Sequence, residues 1–396
     1  MAPPPPLHLA VALDGAGWHP AAWREPDARP SELFSAGYWV DLVAEAERGL
    51  LDFVTIEDSL ALQSTKRREL DERTDQVRGR LDAVLVAARV APRTSAIGLV
   101  PIATTTHTEP FHVSKSIATL DFVSNGRAGF QARVSATSFE ARQFGRRQID
   151  PAGGTPGDSG AVTDLFDEAA DFIEVVRRLW DSWEDDAEIR DVATGRFVAR
   201  DKLHYIDFEG KWFSVRGPSI TPRPPQGQPP VSVLAHVPVA FALAARGADL
   251  VFITPHTADE ARDLVATVRG HEEAEGRRGP PLRIFADVLV FLDDDGPTAR
   301  ARKDRLDELN GRVHRSDAFI YAGTPDGLAD LLLEWRSAGI EGFRLRPGAI
   351  PHDLAAITRD LVGLLQDRSA FRTRYEESTL RERLVLPRAT NMYATT

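Results

Sequence analysis

Residues 95–132 read SAIGLVPIATTTHTEPFHVSKSIATLDFVSNGRAGFQA, and this stretch sets the pattern of the whole chain. An apolar run at 95–102 has the length and composition of a buried strand, and 111–123 is typical of a helix. The Ser-Asn-Gly sequence at 124–126 ends that helix, and a second apolar run follows at 127–132. Two strands separated by one helix predict a βαβ unit, whose strands run parallel in one sheet.

The same alternation recurs along most of the chain. Strands are predicted at 7–13, 53–56, 95–102, 127–132, 231–235, 250–253, 282–292 and 342–345. Helices are predicted at 37–48, 81–90, 111–123, 162–183, 239–246, 258–275, from 298 onward, after Thr324-Pro325 and at 354–366. Eight strands with interleaved helices favour the α/β class and a (β/α)8 TIM barrel. A doubly wound sheet is less favoured, because no GxGxxG motif follows an early strand.

Three segments interrupt this alternation, so we expect a single barrel domain with insertions near 138–162 and 184–230 and a C-terminal extension at 371–396. Within the first, 150–160 (DPAGGTPGDSG) predicts a mobile loop. Within the second, Glu209-Gly210 predicts a hairpin between 205–208 and 211–215. The extension is charged and is expected to wrap around the barrel or a neighbouring subunit.

The composition excludes several classes of function. Lys and Arg number 48 against 59 Asp and Glu, a net charge of −11, so we expect neither nucleic acid nor a membrane as partner. The chain has no cysteine, which excludes disulfides and thiolate chemistry. No segment has the length of a membrane span, and the proline-rich start does not resemble a signal peptide. We therefore expect a cytoplasmic location.

Polar side chains follow the predicted strands. In a barrel the carboxyl ends of all strands lie on one face, where active sites form. Four of the ten histidines lie just past a predicted strand, and hydroxyl, amide and charged groups accompany them. The candidate residues at these positions are Asp14, His19, Glu57, Asp58, Thr104, Thr105, Thr106, His107, Glu109, Gln131, Arg133, His236, His256, Arg344 and Arg346.

Two kinds of site fit these residues. Histidine and carboxylate at strand ends form metal centres, but the first strand lacks the His-x-His pair that such barrels need. A flat organic cofactor is the second possibility, because Thr104, Thr105 and Gln131 can hydrogen-bond a heteroaromatic ring beside Trp18 and Trp23. Each of these residues also has an ordinary structural explanation, as a helix cap or a packed side chain. The residue pattern alone leaves these alternatives open.

Specific stretches carry a family resemblance. They include AEAERGLLDFVTIEDS at 44–59, TLDFVSNGRAGF at 119–130 and RPPQGQP at 223–229. The chain resembles the bacterial-luciferase-like flavin-dependent monooxygenases, in the branch that contains nitrilotriacetate monooxygenase, pristinamycin synthase and dibenzothiophene-sulfone monooxygenase. The resemblance implies a (β/α)8 barrel, usually a dimer or tetramer. Such an enzyme takes reduced FMN from a separate flavin reductase and uses O2, through a flavin hydroperoxide, to oxidise a small organic substrate.

The resemblance also implies roles for individual residues. Asp58, Thr104 and Thr105 would approach the isoalloxazine ring of FMN, and Gln131 occupies a position where the family normally has Asn. His19 lies in the first active-site loop, where a polar group meets the substrate. These assignments make His19 a candidate catalytic residue, and His19→Ala is expected to lower oxygenation without preventing flavin binding.

The chain departs from the family in the strand-three loop and at the FMN phosphate. Glu109 replaces a common His, with His107 two positions earlier, and we take both as candidate catalytic residues. At the phosphate, Phe166 replaces a Tyr and His236-Val237 replaces a Ser pair, so three hydrogen-bond donors are lost. A replacement anion site is expected from Arg133, His236, Arg142, Arg146, Arg147 and the amides of 153–160.

Several alternatives therefore stay open. The chain could use another flavin form, or it could have lost flavin and act as a cofactor-free enzyme or a small-molecule binding protein. Arg344 and Arg346 could anchor a substrate carboxylate or pair with acids of the protein. The Val100-Pro101 peptide bond could be cis or trans.

Overall fold

The computed structural model describes residues 6–64, 66, 69–149 and 160–394. The loop predicted at 150–160 lies outside the described residues except for Gly160, where a helix begins. The backbone amides proposed there for an anion site also lie outside the described residues, apart from that of Gly160.

A closed barrel of eight parallel strands forms the centre of the molecule. The strands of the described residues, both inside and outside the barrel, are in chain order β1 (His8–Leu13), β2 (Phe53–Ile56), β3 (Gly98–Thr104), β4 (Phe130–Arg133), β5 (Glu188–Asp191), β6 (Arg196–Val198), β7 (Phe208–Glu209), β8 (Ser214–Val215), β9 (Val231–Leu234), β10 (Leu250–Ile253), β11 (Arg283–Leu292), β12 (Phe319–Gly323) and β13 (Gly342–Pro347). The barrel order is β1-β2-β3-β4-β9-β10-β11-β13, and β13 pairs with β1. The predicted (β/α)8 barrel is confirmed.

The barrel strands are apolar along most of their length. All six residues of β1 are buried, as are nine of the ten residues of β11. Helices cover the outer face of a parallel barrel and side chains fill its interior, so each strand is buried on both faces. A strand buried on both faces is a continuous apolar run in the sequence, so the predicted boundaries of the barrel strands lie within three residues of those observed.

The helices mostly follow the predicted pattern. They are α1 (Ala36–Arg48), α2 (Ala83–Val90), α3 (Pro110–Ser124), α4 (Ser138–Phe144), α5 (Gly160–Asp181), α6 (Pro238–Gly247), α7 (Ala258–Ala274), α8 (Gly296–Asn310), α9 (Pro325–Ser337), α10 (His352–Ala355), α11 (Val362–Asp367) and α12 (Leu380–Arg383), with a π-helical segment (Ala356–Leu361) joining α10 to α11. The Thr324 hydroxyl accepts the Gly327 amide at 3.1 Å, which confirms the predicted start of α9. Asn125, with φ +56°, ends α3 as predicted.

The sequence pattern does not predict β12. This strand pairs with β11 from Val288 to Leu292, beyond the point at Ala286 where β10 leaves β11. Four of its five residues are only half-buried, so it lacks the continuous apolar run of a barrel strand. The segment before β12 runs along the open mouth of the barrel.

The second insertion forms small hairpins outside the barrel sheet. In the described residues of 184–230, β5 pairs with β6 and β7 pairs with β8, both antiparallel. A hairpin is present where one was predicted, but Glu209 belongs to β7 and pairs with Ser214, so 210–213 form the turn instead of Glu209-Gly210.

The C-terminal extension closes the amino-terminal end of the barrel. Leu380 and Leu384 pack with Phe53 and Phe285 in the barrel interior. A Cβ at Gly98 would lie 2.6 Å from a Leu380 methyl group, so glycine permits this close approach. The extension therefore wraps around the barrel of its own chain and leaves the carboxyl end open.

Two further predictions concern backbone and membrane features. Cis peptide bonds occur at Gly217–Pro218 and Ile350–Pro351, and Val100-Pro101 is not among them. Within the described ranges, none of the helices combines the length and apolar character needed to cross a bilayer.

Candidate functional site

A cavity of about 280 Å³, which we call the inner cavity, lies at the carboxyl ends of the barrel strands. Apolar side chains from the strands and from α5 and α6 form much of its wall, among them Ile102, Phe166, Val233, Leu234 and Leu243. Polar groups form the remainder, among them Glu57, Gln131, Arg133, Asp317, Arg344 and Arg346. An apolar wall with a few convergent polar groups is the usual lining of a site for a planar organic ligand.

Two buried arginines, Arg344 and Arg346, belong to the polar part of this wall. The fully buried carboxylate of Asp287 accepts from Nε of Arg344 at 2.8 Å and from Nε of Arg346 at 3.0 Å. Arg346 also donates to Asp317, at 2.7 Å, and Arg344 donates to the side-chain oxygen of Gln131. Both arginines are therefore paired with acids of the protein, and neither is left free to anchor a substrate carboxylate.

This pairing determines how Gln131 faces the inner cavity. Its side-chain oxygen is occupied by Arg344, while its Nε2 group has no hydrogen-bond partner among the described residues. Glu57 lines the same cavity, and its carboxyl group likewise has no partner in the described part of the chain. Burial raises the pKa of Glu57, although Arg80 opposes this. The cavity thus presents to a ligand an amide donor and a carboxyl group whose pKa is raised by burial.

A second cavity of about 910 Å³, which we call the outer cavity, adjoins the first. Trp18 and Arg133 line both cavities. The loops after β1 and β2, helix α4 and the segment 312–315 complete the outer wall. Its volume suits a small organic molecule placed next to a ligand in the inner cavity.

Glu140 of α4 joins the parts of this outer wall. Its buried carboxylate accepts from Arg133 Nη2 at 3.0 Å, from the Ser59 hydroxyl at 2.9 Å and from the Leu60 amide at 3.2 Å. Burial opposes ionisation of Glu140, but Arg133 and the hydrogen bonds outweigh it and lower its pKa. The sequence analysis missed Glu140, because Ser59 is 81 residues away and α4 lies in a predicted insertion.

The residues predicted near the isoalloxazine ring bond to the protein. Thr104 Oγ1 accepts from Arg133 Nη1 at 3.0 Å, and the Thr105 hydroxyl donates to the Arg133 carbonyl at 3.2 Å. The Asp58 carboxylate accepts the amides of Ser59 at 2.6 Å and Ala83 at 3.1 Å. None of the three predicted residues lines either cavity. Thr104 instead orients the Arg133 guanidinium group, which does line both.

His19 lines the outer cavity, but both of its ring nitrogens are bonded. Nδ1 accepts the Ala21 amide at 3.1 Å, so Nε2 carries the proton and donates to Asp307 at 3.0 Å. Burial lowers the pKa of His19, although Asp307 opposes this. The neutral ring therefore attaches the loop after β1 to α8.

His314 contacts His19 and was not singled out by the sequence analysis. The two ring centroids lie 5.0 Å apart, and the His314 ring has no hydrogen-bond partner among the described residues. It lines the outer cavity, where burial lowers its pKa to about 4. No predicted strand precedes His314, so no sequence signal placed it at the barrel mouth.

His314 makes stability depend on pH. The unfolded chain binds a proton at this residue below about pH 6.5, whereas the folded protein does not until about pH 4. Stability is therefore lost as the pH falls through this window, by up to about 3 kcal/mol. Urea unfolding at several pH values should show a steeper decline in the wild type than in His314→Gln. Parallel declines in the two proteins would contradict this assignment.

The candidate residues of the strand-three loop lie away from both cavities. His107 is buried with φ +75° and stacks on Phe144 at 5.3 Å, and neither ring nitrogen has a hydrogen-bond partner in the described part of the chain. Burial lowers the pKa of His107. Glu109 is exposed and pairs with Arg146 at 2.5 Å. The structure therefore does not bring His107 or Glu109 together with His19.

The predicted phosphate end combines a histidine with a helix start. His236 Nδ1 lies 3.1 Å from the Thr254 hydroxyl, and Nε2 lies 3.3 Å from Asp317. Val237 precedes α6, whose first residue, Pro238, has no N–H and whose Ala240 amide donates to the Val237 carbonyl at 2.9 Å. Among the described residues, the Val239 amide is the first-turn donor left without a partner. Phe166 contributes only apolar surface, to the inner cavity.

Three of the arginines proposed for the anion site are already paired. Arg133 binds Glu140, Arg146 binds Glu109 and Arg147 binds Glu168. Arg142 is exposed and has no acidic partner within the described ranges. Within the described residues, no three His, Asp or Glu side chains lie close enough together to bind a metal ion.

A parallel (β/α)8 barrel with adjoining cavities at the carboxyl ends of its strands defines the TIM-barrel class of enzymes. A family model described as luciferase-like monooxygenase matches residues 17–307. The chain belongs to the luciferase-like monooxygenase family. The prediction of a flavin-dependent monooxygenase, and so of an oxidoreductase, is thereby confirmed.

Curated relatives match over nearly the full length. The chain is 29% identical to N-acetyl-S-(2-succino)cysteine monooxygenase of Bacillus subtilis (strain 168) and 30% identical to nitrilotriacetate monooxygenase component A of Aminobacter aminovorans, over 98% of each chain in both cases. Dibenzothiophene-sulfone monooxygenase of Rhodococcus erythropolis is 27% identical over 92% of this chain and 93% of its own. The predicted branch of the family is confirmed.

Solved structures share the fold. Long-chain alkane monooxygenase superposes with a TM-score of 0.86 at 22% identity, over 96% of both chains. A riboflavin lyase, solved with modified FMN and riboflavin, superposes with a TM-score of 0.83 at 22% identity, over 96% of both chains.

Proposed function

We propose that the chain is the oxygenase of a two-component system, in which a separate flavin reductase supplies reduced FMN and O2 is the second substrate. The isoalloxazine ring would occupy the inner cavity and a small organic substrate the outer cavity. The observation that carries this proposal is the Nε2 group of Gln131, which has no hydrogen-bond partner among the described residues and belongs to a partly apolar cavity next to a larger one. We also expect the protein to be located in the cytoplasm. The family resemblance implies that it forms a homo-oligomer.

The lining of the inner cavity fits a flavin ring. Its apolar residues suit the dimethylbenzene part, while Gln131 and Glu57 can hydrogen-bond the polar edge. When bound, reduced FMN would supply the chemistry that activates O2. The protein's own contribution would be to orient the ring with the Gln131 amide and the Glu57 carboxyl group, whose pKa is raised by burial, and to exclude water with Trp18.

The phosphate end suits a cofactor that is delivered and released. Because Arg133, Arg146 and Arg147 have acidic partners, the phosphate would depend on His236 and the Val239 amide at the start of α6. A site with few charged donors binds phosphate weakly. Weak retention agrees with supply by a reductase, and the relative from Aminobacter aminovorans is itself one component, component A, of its monooxygenase.

The candidate catalytic residues are given different roles in this proposal. His19 has both nitrogens bonded, so it would position the loop after β1 and the neighbouring His314. His107 and Glu109 line neither cavity and are assigned no step. Asp58, Thr104 and Thr105 would act indirectly, by fixing the loops and the Arg133 side chain.

Flavin titration tests the proposal. Addition of reduced FMN to the protein without oxygen should give a saturable change in flavin absorbance, and oxidised FMN should bind more weakly. Subsequent oxygen should then oxidise the flavin at a rate that the protein alters. No saturable change at millimolar flavin would contradict the proposal and would favour a cofactor-free enzyme or a binding protein.

A further inference from the structure

The charged side chains of the outer cavity are mainly cationic. They are Lys66, Arg80, Arg133, Arg312 and Arg315, with Asp14 and Glu140 as acids. The chain as a whole carries a net charge of −11, so a cationic cavity is not a consequence of composition. A cavity lined in this way attracts an organic anion.

Three of these cations have partners of their own. Arg80 makes two hydrogen bonds to Asp14, at 2.5 Å and 3.1 Å. Arg133 binds Glu140, and Lys66 binds Glu69 at 2.7 Å. In the part of the chain that the structure describes, Arg312 and Arg315 have no acidic partner. Their guanidinium groups are therefore the ones available to a ligand.

The backbone that carries these two arginines is held in place. The Arg312 amide donates to the Asp307 carbonyl at 3.2 Å, and the His314 amide donates to the Asp307 carboxylate at 2.7 Å. Asn310 also donates to the Arg312 carbonyl at 3.3 Å. Because the segment is fixed to the end of α8, its backbone would lose little conformational entropy on binding an anion.

We propose that the outer cavity binds the substrate as an organic anion, with a carboxylate or sulfonate group held by Arg312 and Arg315. A guanidinium group matches the oxygens of either anion with paired hydrogen bonds. The remainder of the substrate would lie against Trp18, Trp23 and Phe139, which line the same cavity. This inference rests on the proposed function in one respect, that the bound anion is the molecule to be oxidised.

Binding of matched probes tests the inference without turnover. Isothermal titration calorimetry would compare benzoate, benzenesulfonate and the neutral benzamide, on the protein with and without FMN. The wild type should bind one or both anions at least ~10-fold more tightly than benzamide, which is the effect of about one charge-assisted hydrogen bond. In the Arg312→Gln/Arg315→Gln double variant this preference should fall to about 1.

Arg93→Gln is the matched control, because Arg93 is exposed and ends a turn at the opposite end of the barrel. This variant should keep the preference for anions. Equal affinity for benzamide, survival of the preference in the double variant, or no binding of any probe would overturn the inference. Flavin titration of the same proteins separates the two claims, since loss of the anion preference does not depend on whether FMN binds.

Discussion

Asp287→Asn is expected to destabilise the fold by about 3–5 kcal/mol, the usual cost of breaking a buried ion pair from one side. Asp287 is fully buried and is the shared partner of Arg344 and Arg346, which are also buried. An amide oxygen can still accept hydrogen bonds from the arginines, but a neutral amide cannot offset two buried positive charges. Urea unfolding at pH 7.5 measures the effect.

Asp317→Asn is the matched control for this substitution. The Asp317 side chain is 43% exposed, and Arg346 keeps its bonds to Asp287 when Asp317 is changed. Loss of this pair should cost about 1 kcal/mol or less, as for other solvent-exposed ion pairs. Equal destabilisation by the two substitutions would show that burial does not determine the strength of this network.

Val134→Trp is expected to weaken the binding of FMN by about 100-fold or more, because an indole in the inner cavity would occupy the proposed ring site. Val134 is only half-buried and lines this cavity of about 280 Å³, so the larger side chain can extend into the empty space. The free energy of unfolding should change by about 1 kcal/mol. Flavin fluorescence titration and urea unfolding measure the two effects.

Val313→Trp provides the comparison, since Val313 is 67% exposed and lines the outer cavity but not the inner cavity. It should leave FMN binding unchanged and reduce the affinity for benzoate. If Val134→Trp bound FMN as the wild type does, the ring would have to lie elsewhere. If Val313→Trp also prevented FMN binding, the two cavities would not have the separate roles proposed for them.

The fold was predictable wherever a segment is buried on both faces. β1 and β11 are nearly continuous apolar runs, and the stop at Asn125 and the start at Thr324 follow from local backbone chemistry. The half-buried β12 has no such pattern, because one side of it faces the barrel mouth. Missing that strand also hid Asp317, which lies just before it.

The site was predictable in position and only partly in chemistry. Gln131 and Arg133 were expected at the barrel mouth, and both line the inner cavity. Asp287 gave a signal that was not used, since an acid within an apolar strand must have a buried cationic partner. His314 and Glu140 gave none, because each lies in a segment without a predicted barrel strand.

The sequence by itself determined the barrel, the family and some of the polar residues at the carboxyl ends of the strands, among them Gln131 and Arg133. These follow from local periodicity and from motifs that each lie within a short stretch. Only the tertiary structure decided which of those polar groups are free to bind a ligand. Arg344 reaches Gln131 across 213 residues and leaves its amide nitrogen open, while Arg133 and Arg147 are taken up by acids. Such pairings depend on distances between segments remote in the chain, which residue order does not contain.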